Sequence, residues 1–310
     1  MSPGPPGDWA YPVEVSHLLL VMGLGALTVV LVMAVVAVVA RRTGRVAVVD
    51  VAWGLGFVAV ALVSTATGEL LRRGRTYRFA GLGDSDFRLV SQPAGDSATD
   101  WFHDLLFQQS LRSWLLVALV AVWGGRLAWH IMRRAKGQGE DPRYVELMAR
   151  GSGGIARKVL VPQGLAMWFV SLPVQVAAVS LGPIGWQTWV GAAVWLGGLA
   201  FESVGDAQLA AYKKNPDRPP VMDRGLWRYT RHPNYFGDAC VWWGVWLVAA
   251  DVWPGALTIL SPVAMTWFLV FATGARLLER SMMKRPGYPE YAARTSMFFP
   301  LPPKRRPAVS

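Results

Sequence analysis

Long apolar runs without charge constrain this chain more than any other feature of its sequence. Residues 18–40 contain no charged side chain, and about 20 apolar residues are enough for a helix to cross a bilayer. The whole chain is 53% hydrophobic and only 16% charged, which is too apolar for an ordinary soluble protein. The pattern predicts an all-α integral membrane protein whose spans form a single domain over residues 1–310.

Further runs of this kind predict seven transmembrane helices. Their expected bounds are residues 18–40, 46–67, 111–132, 159–181, 184–204, 236–250 and 254–275. A polar insertion, residues 68–110, separates the second run from the third and is expected to be a long loop or short surface elements. Residues 1–8 lack the basic residues of a signal peptide, so the first run is interpreted as a retained helix.

The distribution of positive charge predicts an orientation in the membrane. The chain has 31 lysines and arginines against 20 acidic residues, a formal charge of +11. Most of the basic residues follow the first, third, fifth and seventh runs, and such an excess is typical of cytoplasmic segments. We therefore expect the N-terminus outside and the C-terminus in the cytoplasm. Because the basic residues are dispersed between apolar runs, nucleic acid is not expected as a partner, whereas membrane lipids are.

Residues 224–238 form a basic, aromatic and hydrogen-bonding segment between two apolar runs. Pro233 has no N–H and disfavours helical geometry at His232, so no helix is expected to run through this point from the N-terminal side. Arginines together with Asn234 at a membrane surface are suited to phosphates. The segment predicts an anionic cofactor as its partner.

Acidic residues in or beside the apolar runs are candidates for function, because charge is costly in a membrane. Asp50 near the start of the second run is interpreted in two ways. It is either an interfacial carboxylate paired with an arginine, or a buried protonated carboxyl that donates a hydrogen bond to a substrate carbonyl. Glu202 and Asp206 are four residues apart and so share one helix face. They form either a helix-end ion-pair cluster or acceptors for ligand amide or hydroxyl groups.

Signatures of several soluble enzymes are absent from the sequence. There is no Gly-x-Gly-x-x-Gly motif, no phosphate-binding Walker loop and no His-Glu-x-x-His motif. Four scattered histidines and one cysteine argue against a metal site.

Five motifs, in their order along the chain, carry a resemblance to a known family. They are Asp50-x-x-Trp53-Gly54, Glu140-Asp141-x-Arg143-Tyr144, Glu202-x-x-x-Asp206-x-Gln208, the segment 225–238, and Glu279 with Tyr288-x-x-Tyr291-x-x-x-Thr295-x-x-Phe298-x-Pro300. As a set they resemble the steroid 5-alpha-reductase-like family of membrane proteins, in particular its bacterial branch catalogued as DUF1295.

The resemblance implies a seven-helix membrane fold whose cytoplasmic half encloses NADPH. It also implies reduction of the carbon–carbon double bond of an enone lipid, such as a 3-oxo-4-ene steroid, in the bacterial inner (plasma) membrane. The cofactor positions that it implies are Glu202, Asp206, Lys213, Arg228, Arg231, His232, Asn234, Tyr235, Asp238, Glu279 and Tyr288.

In the steroid reductases, an acid on the second span and a tyrosine on the third polarise the substrate carbonyl. Asp50 is the only acid of the second run and is the predicted catalytic residue, whereas residues 111–132 contain no tyrosine and have Trp123 in that neighbourhood. Two alternatives stay open. One is an S-adenosylmethionine-dependent methyltransferase, because related carboxyl methyltransferases have similar Arg-His-Pro stretches. The other is a non-enzymatic lipid-binding membrane protein.

Overall fold

The computed structural model describes residues 13–80, 97–149, 154–272 and 274–304, and in these ranges the chain is helical without strands. The α-helices are α1 (Val15–Thr43), α2 (Val48–Ala80), α3 (Ser97–Ala135), α4 (Pro142–Ala149), α5 (Val161–Val170), α6 (Leu172–Ala177), α7 (Trp186–Lys214), α8 (Pro233–Ala249), α9 (Trp253–Ala256), α10 (Leu260–Trp267), α11 (Ala275–Met282) and α12 (Tyr288–Arg294). Two π-helical segments, Ala156–Leu160 and Phe268–Ala272, and two 3-10 turns, Gly225–Arg228 and Leu257–Ile259, complete the described elements.

Four stretches of the described chain are long and apolar enough to cross a membrane, judged by length and composition. They are Val15–Thr43, Val48–Arg73, Asp104–Ala135 and Trp253–Met282. These stretches coincide with the first, second, third and seventh predicted runs, so the expected all-α membrane architecture is confirmed at this level. The fifth and sixth runs correspond to α7, of 29 residues, and α8, of 17 residues.

The fourth predicted run, residues 159–181, differs from the single helix that its apolar composition predicts. A π-helical segment leads into α5, and α6 begins only after a break at Ser171. Pro173 lies in the first turn of α6. Because proline has no amide hydrogen to donate, it interrupts the hydrogen-bond ladder of a continuous helix.

Helices α2 and α3 extend into the polar insertion, which the sequence predicts as a loop or short elements. Their facing sides are joined by polar contacts: the Glu69 carboxylate contacts Arg72 and accepts a hydrogen bond from Ser110. Arg72 Nη1 donates to the Leu106 carbonyl at 2.7 Å. These contacts explain why helix continues where apolar periodicity ends. Residues 81–96 of the insertion lie outside the described residues.

The chain forms two compact units: unit 1 (Met1–Trp189 and Val245–Ile259) and unit 2 (Val190–Gly244 and Leu260–Ser310). In unit 1, α2 and α3 pack closely where Gly54 faces Gly124. The absence of side chains at these two positions allows this approach, since a Cβ atom on either glycine would collide with the carbonyl oxygen of the other. Trp123 is fully buried there.

In unit 2, α7 from residue 190 onward packs on α8 through glycines. A Cβ atom on Gly237 would lie 2.6 Å from the Gly198 carbonyl oxygen and 2.5 Å from the Glu202 amide nitrogen. The C-terminal residues pack on the same unit, where Phe236 makes edge-to-face contacts with Phe298 and Phe299. The close approach of the two helices places the first turn of α8 beside the acidic part of α7.

Candidate functional site

The segment 224–238 consists of a 3-10 turn, a short irregular stretch in which Thr230 forms a bridge with Ser296, and the start of α8. No helix enters Pro233 from the N-terminal side, as expected, and α8 begins at this proline rather than at residue 236, where the sixth run was expected to begin. The turn opens at Gly225, whose φ of 59° lies in the left-handed region. Only glycine fits easily here, since a Cβ atom would also collide with the side chain of Gln208.

The 3-10 turn is anchored at several points. The Leu226 amide donates to Gln208 Oε1 at 2.9 Å, and the Trp227 indole nitrogen donates to the Gly205 carbonyl at 3.1 Å. From α12, the Tyr291 hydroxyl donates to the Trp227 carbonyl at 2.5 Å. The turn is therefore fixed to both α7 and α12.

Two arginines lie at the ends of this anchored turn. Arg224 precedes it and Arg228 is its last residue, and both side chains are exposed. Fixed backbone beneath exposed guanidinium groups is an arrangement suited to phosphates, which arginine binds through paired N–H donors.

Arg231 is held within the protein. Its Nε and Nη2 donate to the two oxygens of Glu279, at 2.6 and 2.9 Å. Its Nη1 donates to the carbonyls of Ala292 and Thr295, at 2.7 and 2.6 Å. Its backbone amide donates to the Ser296 carbonyl at 2.9 Å. The guanidinium thus links α11, α12 and the chain that follows α12.

His232 joins the same carboxylate. Its Nε2 lies 3.2 Å from Glu279 Oε1, and the imidazole is buried and stacked on the Tyr235 ring with centroids 5.4 Å apart. We name Arg231, His232 and Glu279 the clamp. The structure brings these three predicted cofactor residues together, but they contact one another.

Tyr288 and Tyr291 are buried side chains of the short helix α12. Burial, followed by the negative charge of Glu279, raises the pKa of Tyr288 to about 12, although Arg231 acts in the opposite direction. Burial also raises the pKa of Tyr291. Both phenols are therefore neutral hydrogen-bonding groups near pH 7.

The acids of α7 and the polar residues of α8 meet at the glycine contact. Glu202 is buried beside Gly237, and Gly205 lies against Pro233 and the amide of Asn234. Predicted cofactor residues thus lie on both sides of this contact: Glu202 and Asp206 on α7, and Asn234, Tyr235 and Asp238 on α8. Lys213 is exposed in the last turn of α7.

Asp50, the predicted catalytic residue, belongs to unit 1 and lies in the first turn of α2. The hydroxyl of Tyr144 donates to Asp50 Oδ1 at 2.5 Å, and Tyr144 is buried. Glu140 stabilises the residues just before α2, because its carboxylate accepts hydrogen bonds from the backbone amides of Val46 and Ala47.

Sequence reasoning missed the role of Tyr144, because it sought a tyrosine within residues 111–132. The motif of residues 140–144 already contained this tyrosine, and it supplies both Glu140 and Tyr144 to the contacts at the start of α2.

Arg112 is a second residue to which the sequence assigned no role. Its side chain is fully buried, and its guanidinium donates to the carbonyls of Ser180 and Gly182, at 2.8 and 3.1 Å. These carbonyls lie in the turn after α6, so the arginine satisfies backbone acceptors that have no partner within a helix. A charged residue at the edge of an apolar run was the available signal.

No group of three or more histidine, cysteine or acidic side chains suited to a metal ion occurs among the residues that the structure describes.

Comparisons with known proteins match the chain to one family. No curated protein and no solved structure matches it. The family described as "Protein of unknown function (DUF1295)" matches residues 98–295. The match includes every predicted cofactor residue and excludes Asp50. Because the match covers more than half of the sequence, the chain belongs to the DUF1295 family, which is related to the steroid 5-alpha-reductase-like proteins.

Proposed function

We propose that this protein is an NADPH-dependent membrane reductase that acts on the carbon–carbon double bond of an enone lipid, such as a 3-oxo-4-ene steroid. The observation that carries the proposal is the anchored turn of unit 2, with Arg224 and Arg228 exposed at its ends. The relation of the family to steroid 5-alpha-reductase-like proteins supports the same activity.

The residues of unit 2 fit a phosphorylated dinucleotide. Its phosphates suit guanidinium groups on a fixed backbone, because less side-chain and loop freedom is lost on binding. Its ribose hydroxyls and carboxamide suit the half-buried Asp206 and Asn234, since a carboxylate accepts and an amide both donates and accepts hydrogen bonds.

NADPH, when bound, supplies the hydride for reduction of an enone. As the β carbon is reduced, negative charge grows on the carbonyl oxygen, and a donor aimed at that oxygen stabilises the transition state. Asp50 with Tyr144 is the proposed donor pair, because a protonated carboxyl and a neutral phenol both donate O–H. A proton from water then reaches the α carbon, which gives the saturated ketone.

The proposal includes seven spans, with the N-terminus outside and the C-terminus in the cytoplasm of a bacterial cell. In this proposal, α7, α8 and the α5–α6 pair are the three spans beyond the four long apolar stretches. A Cys240→Ser protein that carries Lys284→Cys tests the orientation. An impermeant maleimide should label it only after the cells are opened, and labelling of intact cells contradicts the orientation.

Equilibrium binding to the purified protein in detergent tests the function. We expect NADPH to bind more tightly than NADH, and Asp206→Ala and Asn234→Ala to weaken NADPH binding about tenfold each, as loss of a hydrogen bond to a polar ligand predicts. Asp217→Ala, at an exposed position after α7, is the matched control and should bind normally.

Three outcomes contradict the proposal. Unchanged NADPH affinity in both variants would show that Asp206 and Asn234 do not bind the cofactor. Thermal stabilisation by S-adenosylmethionine alone favours the methyltransferase. Absence of binding by either cofactor favours the non-enzymatic lipid-binding protein.

A further inference from the structure

Arg231 is surrounded by acceptors from its own chain. Every nitrogen of its guanidinium donates: Nε and Nη2 to Glu279, and Nη1 to Ala292 and Thr295. The side chain is only 11% exposed. A phosphate can reach this guanidinium only by displacing bonds that are already charge-assisted and short, so Arg231 is poorly placed to bind one.

The bonds of Arg231 belong to a longer seam between residues 229–232 and the end of the chain. Thr230 Oγ1 donates to the Phe298 carbonyl at 2.8 Å, and the Leu301 amide donates to the Tyr229 carbonyl at 3.0 Å. The seam ends at Pro233, where α8 begins. The clamp therefore determines where the backbone enters α8, and with it the position of Asn234.

Arg224 and Arg228 differ from Arg231 in exposure and in what holds them. Their turn is fixed through the backbone of Leu226 and Trp227, so the two guanidinium groups are not needed to hold the fold. Both are exposed. Charged groups on a fixed turn at the surface are able to bind an anion without breaking an internal ion pair.

We infer that Arg231, His232 and Glu279 are positioning residues that fix the chain before α8, and that Arg224 and Arg228 bind the phosphates of the cofactor. The inference rests on the proposed function for the identity of the ligand. It reassigns three of the residues that the family resemblance places in contact with the cofactor.

NADPH affinity measured over a range of salt concentrations separates the two roles, because salt screens an arginine–phosphate contact that is open to solvent. The variants are the Arg224→Gln/Arg228→Gln pair, Arg231→Gln, Glu279→Gln and the Arg231→Gln/Glu279→Gln pair. Arg285→Gln, at an exposed position in the same unit, is the control for removal of one positive charge.

The Arg224→Gln/Arg228→Gln protein should keep its melting temperature, lose about tenfold in NADPH affinity per arginine, and show a weaker salt dependence. Arg231→Gln should lower the melting temperature and weaken NADPH while leaving the salt dependence as in the wild type. Its effect should be non-additive with Glu279→Gln, because each residue acts through the other.

Two results overturn the inference: a salt dependence that flattens in Arg231→Gln, or an unchanged NADPH affinity in the Arg224→Gln/Arg228→Gln protein. If the clamp variants do not fold, the exposed pair still decides which arginines bind phosphate. If the wild type binds no nicotinamide cofactor, the proposed function fails. In that case, the free energies of unfolding of the Arg231→Gln and Glu279→Gln variants still test the clamp. Additive losses would show that the two residues do not act together, and non-additive losses would show that they do.

Discussion

Glu279 in unit 2 and Asp50 in unit 1 are both acids that the sequence assigns to a functional site, but the structure shows different partners for them. Glu279 accepts two hydrogen bonds from the guanidinium of Arg231 and lies against His232. Asp50 accepts a hydrogen bond from the neutral phenol of Tyr144. Both contacts join segments that are distant in the sequence, the first through a guanidinium and the second through a phenol.

The comparison teaches that an acid in a motif is not by itself a ligand-binding group. A carboxylate matched by an arginine is costly to separate from it, because the other charge is left uncompensated. A carboxyl beside a phenol can exchange its partner for a substrate oxygen at lower cost. We therefore expect mutations of the two acids to affect different properties of the protein.

The largest expected effect is that of Glu279→Ala. This change leaves the Arg231 guanidinium without its carboxylate in a largely buried site, and should lower the free energy of unfolding by about 3–5 kcal/mol. Unfolding in detergent, followed by tryptophan fluorescence, measures it. Glu290→Ala, at an exposed position of α12, is the control. An equal loss of stability in Asp50→Ala would contradict the expected difference between the two acids.

The next effect is that of Gly237→Ala at the α7–α8 contact. Its Cβ atom would lie 2.5 Å from the Glu202 amide nitrogen, so the helices must separate, at a cost of about 1–3 kcal/mol. Gly197→Ala is the matched control, because nothing lies within 4 Å of its Cβ position. It should stabilise α7 by up to about 1 kcal/mol.

Both proteins are compared by the same unfolding measurement. Equal stability of the two proteins contradicts the close approach of α7 and α8.

The long helices are predictable from apolar length, because four of the seven predicted runs coincide with stretches long and apolar enough to span a membrane. The break in the run 159–181 and the exact start of α8 at Pro233 are not predictable from apolar length. The clamp is less predictable. Arg231 and Glu279 are brought together by the tertiary fold, and no local pattern indicates that Arg231 also binds the carbonyls of Ala292 and Thr295.

The structure of the polar insertion is also hard to predict from sequence. Helix α2 continues into it through polar contacts with α3, and apolar periodicity does not indicate such contacts. The motif of residues 140–144 was recognised, but its contact with Asp50 was not. That contact depends on how the chain after α3 folds back toward the start of α2.

A smaller effect on stability is expected for Tyr144→Phe. Loss of its hydrogen bond to Asp50 should cost about 1 kcal/mol, whereas the rate of enone reduction should fall about 100-fold, as for loss of one donor to a developing oxyanion. Tyr229→Phe, whose side chain is 43% exposed, is the control for the stability measurement. A reductase rate in Tyr144→Phe equal to that of the wild type would show that the phenol does not donate to the substrate oxygen.

The last effect concerns the dependence of stability on alkaline pH. The pKa of Tyr288 is about 12 in the folded protein against a usual value of 10.0, so the unfolded chain loses this proton first as the pH rises. The contribution is therefore present below pH 10 and is lost between pH 10 and 12.

The melting temperature of Tyr288→Phe should fall less over this interval than that of the wild type. Tyr229→Phe, which removes an exposed phenol, should follow the wild type. Parallel curves for the wild type and Tyr288→Phe contradict the raised pKa of Tyr288.

Hydrogen exchange of the purified protein in detergent, with and without NADPH, tests whether residues 224–238 bind this cofactor. We expect NADPH to slow amide exchange in peptides that cover residues 224–238, and S-adenosylmethionine not to do so. Slower exchange with S-adenosylmethionine alone, or no change in these peptides with saturating NADPH, would contradict this expectation.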